Sequence, residues 1–335
     1  MTEKIKAIQY GCGPIGCAVA KLANSRNNIE LIGAVDVDPN KVGKDLGEVM
    51  GTGQLMGVIV TDDINTILAN QKADVVFHQT ASTMKAITPQ LAELIVLGLN
   101  VVSSAEELSY PYIANDDLAR AIDDAAKANN VSVLGTGINP GFLMDAWPIA
   151  MTAVCEQVKY IKSIRVQNAM TRRQPFQKKI GAGCTLSEFD KLVEAKTLRH
   201  VGLTESMHMI AAGLGWKLDK ATESIKPVIA QEPTQSQYIS VEPGQAAGVR
   251  QVGLGYLAGK EVMRLEFEAS LIAPESYDAV YITGTPDMEV VIKGGVHGDI
   301  GTAAMVVNCA HRVVQTQPGL ITMNDLPLVS CWADK

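Results

Sequence analysis

Through the first 140 residues, apolar side chains come in short, nearly unbroken blocks at 5–10, 31–35, 57–60, 73–77, 100–103 and 131–134. Blocks of this length, rich in Val and Ile, predict strands buried on both faces. Stretches of helical spacing lie between them at 17–23, up to about 50, and at 63–70, 89–97 and 113–129. This alternation predicts a doubly wound parallel sheet, so the fold class is α/β. From about residue 141 the pattern changes: alternation at 161–170, 226–230, 237–241, 262–271 and 288–293, with helical spacing at 186–195 and 204–213, predicts a largely antiparallel sheet. The expected organisation is a first domain over 1–140, completed by a C-terminal helix over 300–335, and a second domain over 141–299 for substrate binding and dimerisation.

The first block runs into Gly11-Cys12-Gly13-Pro14-Ile15-Gly16, and the second ends at Asp36. Strand, G-x-G-x-x-G, helix, strand and acid, with the acid about 20 residues beyond the loop, are the parts of a Rossmann dinucleotide site. Gly11 permits the turn, Gly13 lets backbone approach a pyrophosphate, and Gly16 lets the helix lie close on the sheet. Asp36 can accept from both ribose hydroxyls and would repel a 2′-phosphate, which favours NAD(H). Asp38 and Lys41 just beyond keep NADP(H) open.

Ligands of such sheets sit at the carboxyl ends of the strands, so three further loops are candidates. Thr80-Ala81-Ser82 offers small residues and hydroxyls beside ribose and nicotinamide, or an ordinary helix cap. Ser103-Ser104-Ala105-Glu106-Glu107-Leu108-Ser109-Tyr110-Pro111 carries two adjacent acids. Either can move a proton at a partly dry cofactor site, or simply favour a helix N-terminus; Glu106 is the preferred carrier and Glu107 stays open. Gly135-Thr136-Gly137-Ile138-Asn139-Pro140-Gly141-Phe142 is a glycine-dense bend. A fourth cluster, Val296-His297-Gly298-Asp299-Ile300-Gly301-Thr302, sets His297 at the junction of the domains, either entering the cleft or holding the turn. For substrate, Arg165 and Asn168 are polar candidates and Phe142 and Met144 apolar ones; Arg172, Arg173 and Arg250 are further cations.

The net charge of −7, a pI near 5.3 and no Lys/Arg run longer than a pair exclude a nucleic-acid binder. A mean hydropathy of +0.11, with no apolar stretch of membrane-spanning length and no leader ahead of the first strand, points to a cytoplasmic protein. Six cysteines lie singly, with no C-x-x-C and no His at ligand spacing, so no metal site is expected.

These segments together resemble the 2,4-diaminopentanoate dehydrogenases and the related NAD(P)H-dependent amine dehydrogenases. The carriers are Tyr10 to Gly16, Ala34-Val35-Asp36-Val37-Asp38-Pro39, Ser104 to Pro111, Gly135 to Phe142 and Val296 to Thr302, and the likeness spans nearly the whole chain. The resemblance implies a Rossmann domain plus a dihydrodipicolinate-reductase-like α/β domain. It implies reversible oxidative deamination of an amine, or reductive amination of a small ketone or aldehyde by ammonia. It also implies the glutamate of Glu-Glu-Leu as acid/base, Asn139 and Pro140 beside the nicotinamide, and His297 beside the substrate. Gly301 departs from the alanine expected there. The Glu-Lys-Pro of glucose-fructose oxidoreductase-type enzymes and the His-His-x-x-Lys of dihydrodipicolinate reductases are absent. Two alternatives remain: a carbonyl or imine reductase that needs no ammonia, and a non-catalytic dinucleotide sensor.

Overall fold

A computed structural model describes residues 4–333. In chain order the elements are β1 (Ile5–Tyr10), α1 (Pro14–Asn24), β2 (Ile29–Val35), α2 (Leu46–Val49), β3 (Val60–Thr61), α3 (Ile64–Leu68), β4 (Val75–His78), α4 (Met84–Val96), β5 (Asn100–Ser103), α5 (Asp116–Ala128) and β6 (Ser132–Gly135). Then come α6 (Ala146–Met151), β7 (Gln157–Asn168), α7 (Gln174–Lys179), α8 (Leu186–Glu194), α9 (Leu203–Gly213), β8 (Lys220–Ile229), β9 (Thr234–Gln235), β10 (Ser240–Val241), β11 (Ala246–Leu257), β12 (Lys260–Ser270), β13 (Tyr277–Thr285) and β14 (Met288–Lys293). The chain closes with α10 (Gly298–Gln315) and β15 (Gly319–Ile321).

Two compact units result, one running up to Phe142 and resuming at His297, the other spanning Leu143–Val296. The first holds a parallel seven-stranded sheet in the order β15-β6-β5-β4-β1-β2-β3. Ile8, Val76 and Val101 are fully buried on adjacent strands, and Ile87, Leu91, Leu94 and Ile95 of α4 pack into the same core. Strand order reverses direction between β1 and β4, which puts the ligand crevice of this fold type at their carboxyl ends.

The second unit is built on a six-stranded sheet in the order β14-β13-β7-β12-β11-β8, antiparallel except for the β7–β12 pair. Along β7, Ile161, Ser163, Arg165 and Gln167 are buried, while Tyr160, Lys162, Ile164 and Val166 are half-buried, the period-two signature of a sheet covered on one side. Helix α9 lies on the covered side, where a side chain at Gly253 would run into Met207.

The α/β class and the two kinds of sheet agree with the sequence pattern. Four strands, β9, β11, β13 and β15, lie outside the expected segments, and the segment after α10 is not all helix: β15 pairs with β6 as a seventh strand. Helix α4 begins at Met84, so Pro89, taken as a helix start, lies inside it.

Candidate active site

The loop after β1 shows three glycines doing two kinds of work. Gly11 has φ +89°, and a Cβ there would fall 2.2 Å from the Gln79 carbonyl oxygen. At Gly16 a Cβ would fall 1.8 Å from the Gly11 carbonyl oxygen. Both are glycine because protein backbone fills the space. Gly13 differs: a Cβ there would meet nothing within 4 Å, so no protein atom demands its absence. It stands at the N-cap of α1, followed by Pro14 at the first helical position and by Ile15, and the first helical hydrogen bond runs from Cys17 N to Gly13 O at 2.8 Å. An open backbone surface beside unpaired helix N–H groups suits a pyrophosphate. Cys12 is buried and its thiol is pushed up to about 12, chiefly by that burial, so it is a packing residue.

At the end of β2, Asp36 is held from three sides. Oδ2 accepts from Cys12 N at 2.7 Å and Lys41 Nζ at 3.0 Å, while Oδ1 accepts from Asp38 N at 2.9 Å. Burial works to raise this carboxyl, but the two backbone N–H groups and the ammonium outweigh it and hold it below its ordinary value. Lys41 also lies 3.6 Å from Asp38. An ionised acid and a lysine therefore stand side by side at the end of β2, the position from which this fold type meets an adenosine ribose.

Beyond β4 the chain turns through Thr80, Ala81 and Ser82 into α4. Thr80 and Ala81 are exposed and Ser82 is half-buried. Beyond β5 comes a single 3-10 turn, Glu106–Ser109. This turn separates the two acids. Glu107 donates its N–H to Ser82 O at 3.1 Å, and its Oε2 accepts from Met84 N at 2.8 Å, capping the first helical residue of α4. The neighbouring Glu106 is half-buried, and its carboxylate makes no hydrogen bond or ion pair with any described residue.

The bend after β6 joins the same cluster. A Cβ at Gly135 would lie 2.4 Å from the Leu108 carbonyl carbon, and Thr136 N donates to Ser103 O at 2.8 Å, so the bend is pressed against the Glu106 turn. Within it Asn139 and Pro140 are buried, Phe142 is half-buried, and Gly141 at φ +121° packs on Gly137. Ile138 N reaches Thr302 Oγ1 at 3.4 Å, tying the bend to the first turn of α10. His297 is the N-cap residue of that helix; its ring is exposed and its carbonyl accepts from Gly301 N at 2.9 Å. The glycine loop, the Thr80 loop, the Glu106 turn, the Asn139 bend and His297 thus all belong to the first unit.

The substrate candidates of the second unit are already engaged. Arg165 is 2% exposed, with one nitrogen 2.7 Å from Asp278 Oδ1 and another donating to Val296 O at 2.8 Å. A guanidinium spent on a buried pair is a structural element, which corrects its reading as a substrate anchor. Asn168 donates to Ala273 O at 2.5 Å and accepts from Met170 N at 2.9 Å, so its amide holds a turn. Met144 is fully buried.

The family model for the 2,4-diaminopentanoate dehydrogenase C-terminal domain matches residues 142–335, and that for the dihydrodipicolinate reductase N-terminus matches residues 5–104. A 2,4-diaminopentanoate dehydrogenase from Acetoanaerobium sticklandii is 34% identical over 97% of this chain and 94% of its own. The chain belongs to the 2,4-diaminopentanoate dehydrogenase family. It is accordingly an oxidoreductase. An amine dehydrogenase from Streptomyces virginiae is 22% identical over 97% of this chain and 96% of its own. The structure of an amine dehydrogenase from Mycobacterium smegmatis shares the fold, with a TM-score of 0.84 and 24% identity over 98% of both chains. The family resemblance and the α/β fold expected from the sequence are both borne out.

Two features of this family member escaped the sequence. One is the capping of α4 by Glu107. The other is a polar cluster at the end of β4, in which buried His78 and Ser103 meet half-buried Gln90 and exposed Thr80. A histidine closing an otherwise apolar strand, Val75-Val76-Phe77-His78, was the available signal.

Proposed function

We propose that this chain is an NAD(P)-dependent amine dehydrogenase that interconverts an amine and a small ketone or aldehyde plus ammonia, with Glu106 as the proton carrier. The observation that carries this is the division of labour in the Glu-Glu pair: Glu107 is committed to the N-terminus of α4, and Glu106 beside it keeps a half-buried, uncommitted carboxylate.

The nicotinamide supplies the hydride acceptor or donor. Glu106 removes a proton from the substrate ammonium, because only a neutral amine nitrogen has the lone pair that expels hydride from its carbon. Once that proton has passed to solvent, the same carboxylate takes a proton from the water that adds to the iminium carbon, and returns it as ammonia leaves. Overall one ammonium substrate, one water and the oxidised cofactor give carbonyl product, ammonium ion, reduced cofactor and one proton. Each pH unit upward therefore favours deamination by about tenfold at equilibrium. Gly11 to Gly16 hold the pyrophosphate, Asp36 the ribose, Thr80 to Ser82 with Asn139 and Pro140 the nicotinamide end, and His297 and Phe142 border the substrate.

Asp36 supports NAD(H); Lys41, 3.0 Å away, is the group to meet a 2′-phosphate, so NADP(H) is accepted as well. The substrate favoured by the similarity is 2,4-diaminopentanoate, the compound named for the A. sticklandii relative. The half-open sheet of the second unit supports a homodimer, and the chain is assigned to the cytoplasm; no described helix is long and apolar enough to cross a membrane.

Oxidation of NADH and NADPH is to be followed with 2-amino-4-oxopentanoate and a panel of small ketones and aldehydes, with and without ammonium. Oxidation is expected to require ammonium, and Glu106→Gln should lower kcat by about 10²–10⁴ while leaving the Kd for NADH unchanged. Ammonium-independent oxidation would instead assign a carbonyl or imine reductase, and near-normal turnover of the variant would reject Glu106.

A further inference from the structure

We infer that His78 is a positioning residue for the catalytic carboxylate, a role that rests on the assignment of Glu106 above. His78 closes β4 and is fully buried. Its Nδ1 lies 2.9 Å from Ser103 Oγ, and its Nε2 lies 2.8 Å from Gln90 Oε1 and 3.1 Å from Thr80 Oγ1. Thr80 in turn donates to Gln90 Oε1 at 2.7 Å, and Ser103 Oγ accepts from Ala105 N at 3.2 Å.

With the Gln90 amide oxygen facing the ring, these contacts select one arrangement of protons. An amide oxygen only accepts, so Nε2 carries the ring proton toward Gln90 and Nδ1 is the acceptor. The Ser103 hydroxyl then donates to Nδ1, which leaves its lone pairs for the N–H of Ala105, the residue immediately before Glu106. Burial pushes the imidazole down to about 4, so the ring is neutral at working pH and this arrangement persists. The Tyr10 ring, 5.5 Å away between centroids, walls the cluster on the β1 side.

The geometry links the two loops that flank the reacting position. Through Nε2 the ring engages Thr80 of the loop after β4; through Nδ1 and Ser103 it engages the start of the Glu106 turn. A second tie runs parallel to the first, from Glu107 N to Ser82 O. An aliphatic side chain would fill the end of β4 with no polar group to desolvate, so a histidine there adds nothing to core packing that Leu or Val would not. What it adds is a fixed spacing between the loops. Spacing matters because misplacement of a catalytic group by about 1 Å can cost about 10²-fold in rate.

The test uses the whole chain and five variants, one of them double, with kcat, KM, Kd for NADH by fluorescence titration, and thermal unfolding. Glu106→Gln comes first: if it retains turnover, the reading of Glu106 has failed and His78 has nothing to position. If it is slow, His78→Leu and Ser103→Ala are each expected to lose about 10–100-fold in kcat with NADH affinity within about twofold of wild type. His78→Gln, which keeps a donor and an acceptor, should restore most of that rate. His78→Leu in the Glu106→Gln background should slow turnover no further, since the effect passes through the carboxylate. A folded His78→Leu, or Ser103→Ala should the former not fold, that keeps kcat within twofold would overturn the proposal. So would a loss that shows up in the Kd for NADH instead of kcat, or an additive loss in the double variant.

Discussion

Gly13→Ala is the sharpest probe of the dinucleotide loop, because the structure separates what this methyl does to the fold from what it does to the ligand. Gly13 has φ −71° and ψ −175°, a conformation open to any L-residue, and its Cβ would meet no protein atom within 4 Å. Two stability effects oppose each other: alanine is a poorer N-cap than glycine by about 0.5–1 kcal/mol, and loss of unfolded-chain freedom returns about 0.4–1 kcal/mol. The net change is under about 1 kcal/mol, so Tm should move by no more than about 4 °C. Binding is different. The methyl occupies the approach to the first N–H groups of α1, and pushing a phosphate off one charge-assisted hydrogen bond costs about 1.5–3 kcal/mol. The Kd for NADH, measured by fluorescence titration, should therefore rise by about 10–150-fold. Gly16→Ala is the control: its Cβ would lie 1.8 Å from a carbonyl oxygen of the loop itself, which can move only by breaking the turn, so folding should suffer together with binding. Wild-type affinity in Gly13→Ala would refute the assignment of that open space to the pyrophosphate. Destabilisation equal to that of Gly16→Ala would refute the claim that the space is free of protein.

Glu107→Ala removes the cap on α4 and should cost about 0.5–2 kcal/mol in denaturant unfolding, with less than a tenfold change in kcat; a larger loss of rate than in Glu106→Gln would reverse the roles of the two acids. Acid stability should reflect His78. Its folded pKa of about 4 lies below the ordinary histidine value, so between roughly pH 6.5 and 4 the unfolded chain binds the extra proton and stability falls as pH falls, levelling off below 4. For this ring the loss amounts to about 3 kcal/mol across that window, and His78→Gln should flatten the slope by that amount in pH-dependent urea unfolding. An unchanged slope would mean that the ring is not buried neutral.

The first 36 residues carried their meaning locally. Strand, glycine loop, helix, strand and acid are contiguous, and the demand for glycine at position 16 is made by Gly11 within that stretch, while Gln79 across the sheet adds to the positive φ at position 11, so composition and spacing were enough to point to a dinucleotide site. The family was legible for a related reason: its motifs sit at strand ends, and strand ends are where apolar blocks stop. Other features depended on partners far along the chain. The start of α4 was misplaced at Pro89 because Met84 is made the first helical residue by a carboxylate 23 residues downstream. That same bond separates Glu107 from Glu106, a choice that two adjacent identical side chains cannot express. Arg165 reads from sequence as an available cation, and only the pairing of β7 with β13 brings Asp278 to it. Strands β11 and β13 went unseen because their half-open sheet mixes glycine, polar and apolar positions, and β15 because three residues show no period. Local pattern determined which backbone sites exist. The fold decided which side chains remain uncommitted, since each commitment is a hydrogen bond or ion pair between residues that only tertiary packing brings within 3 Å.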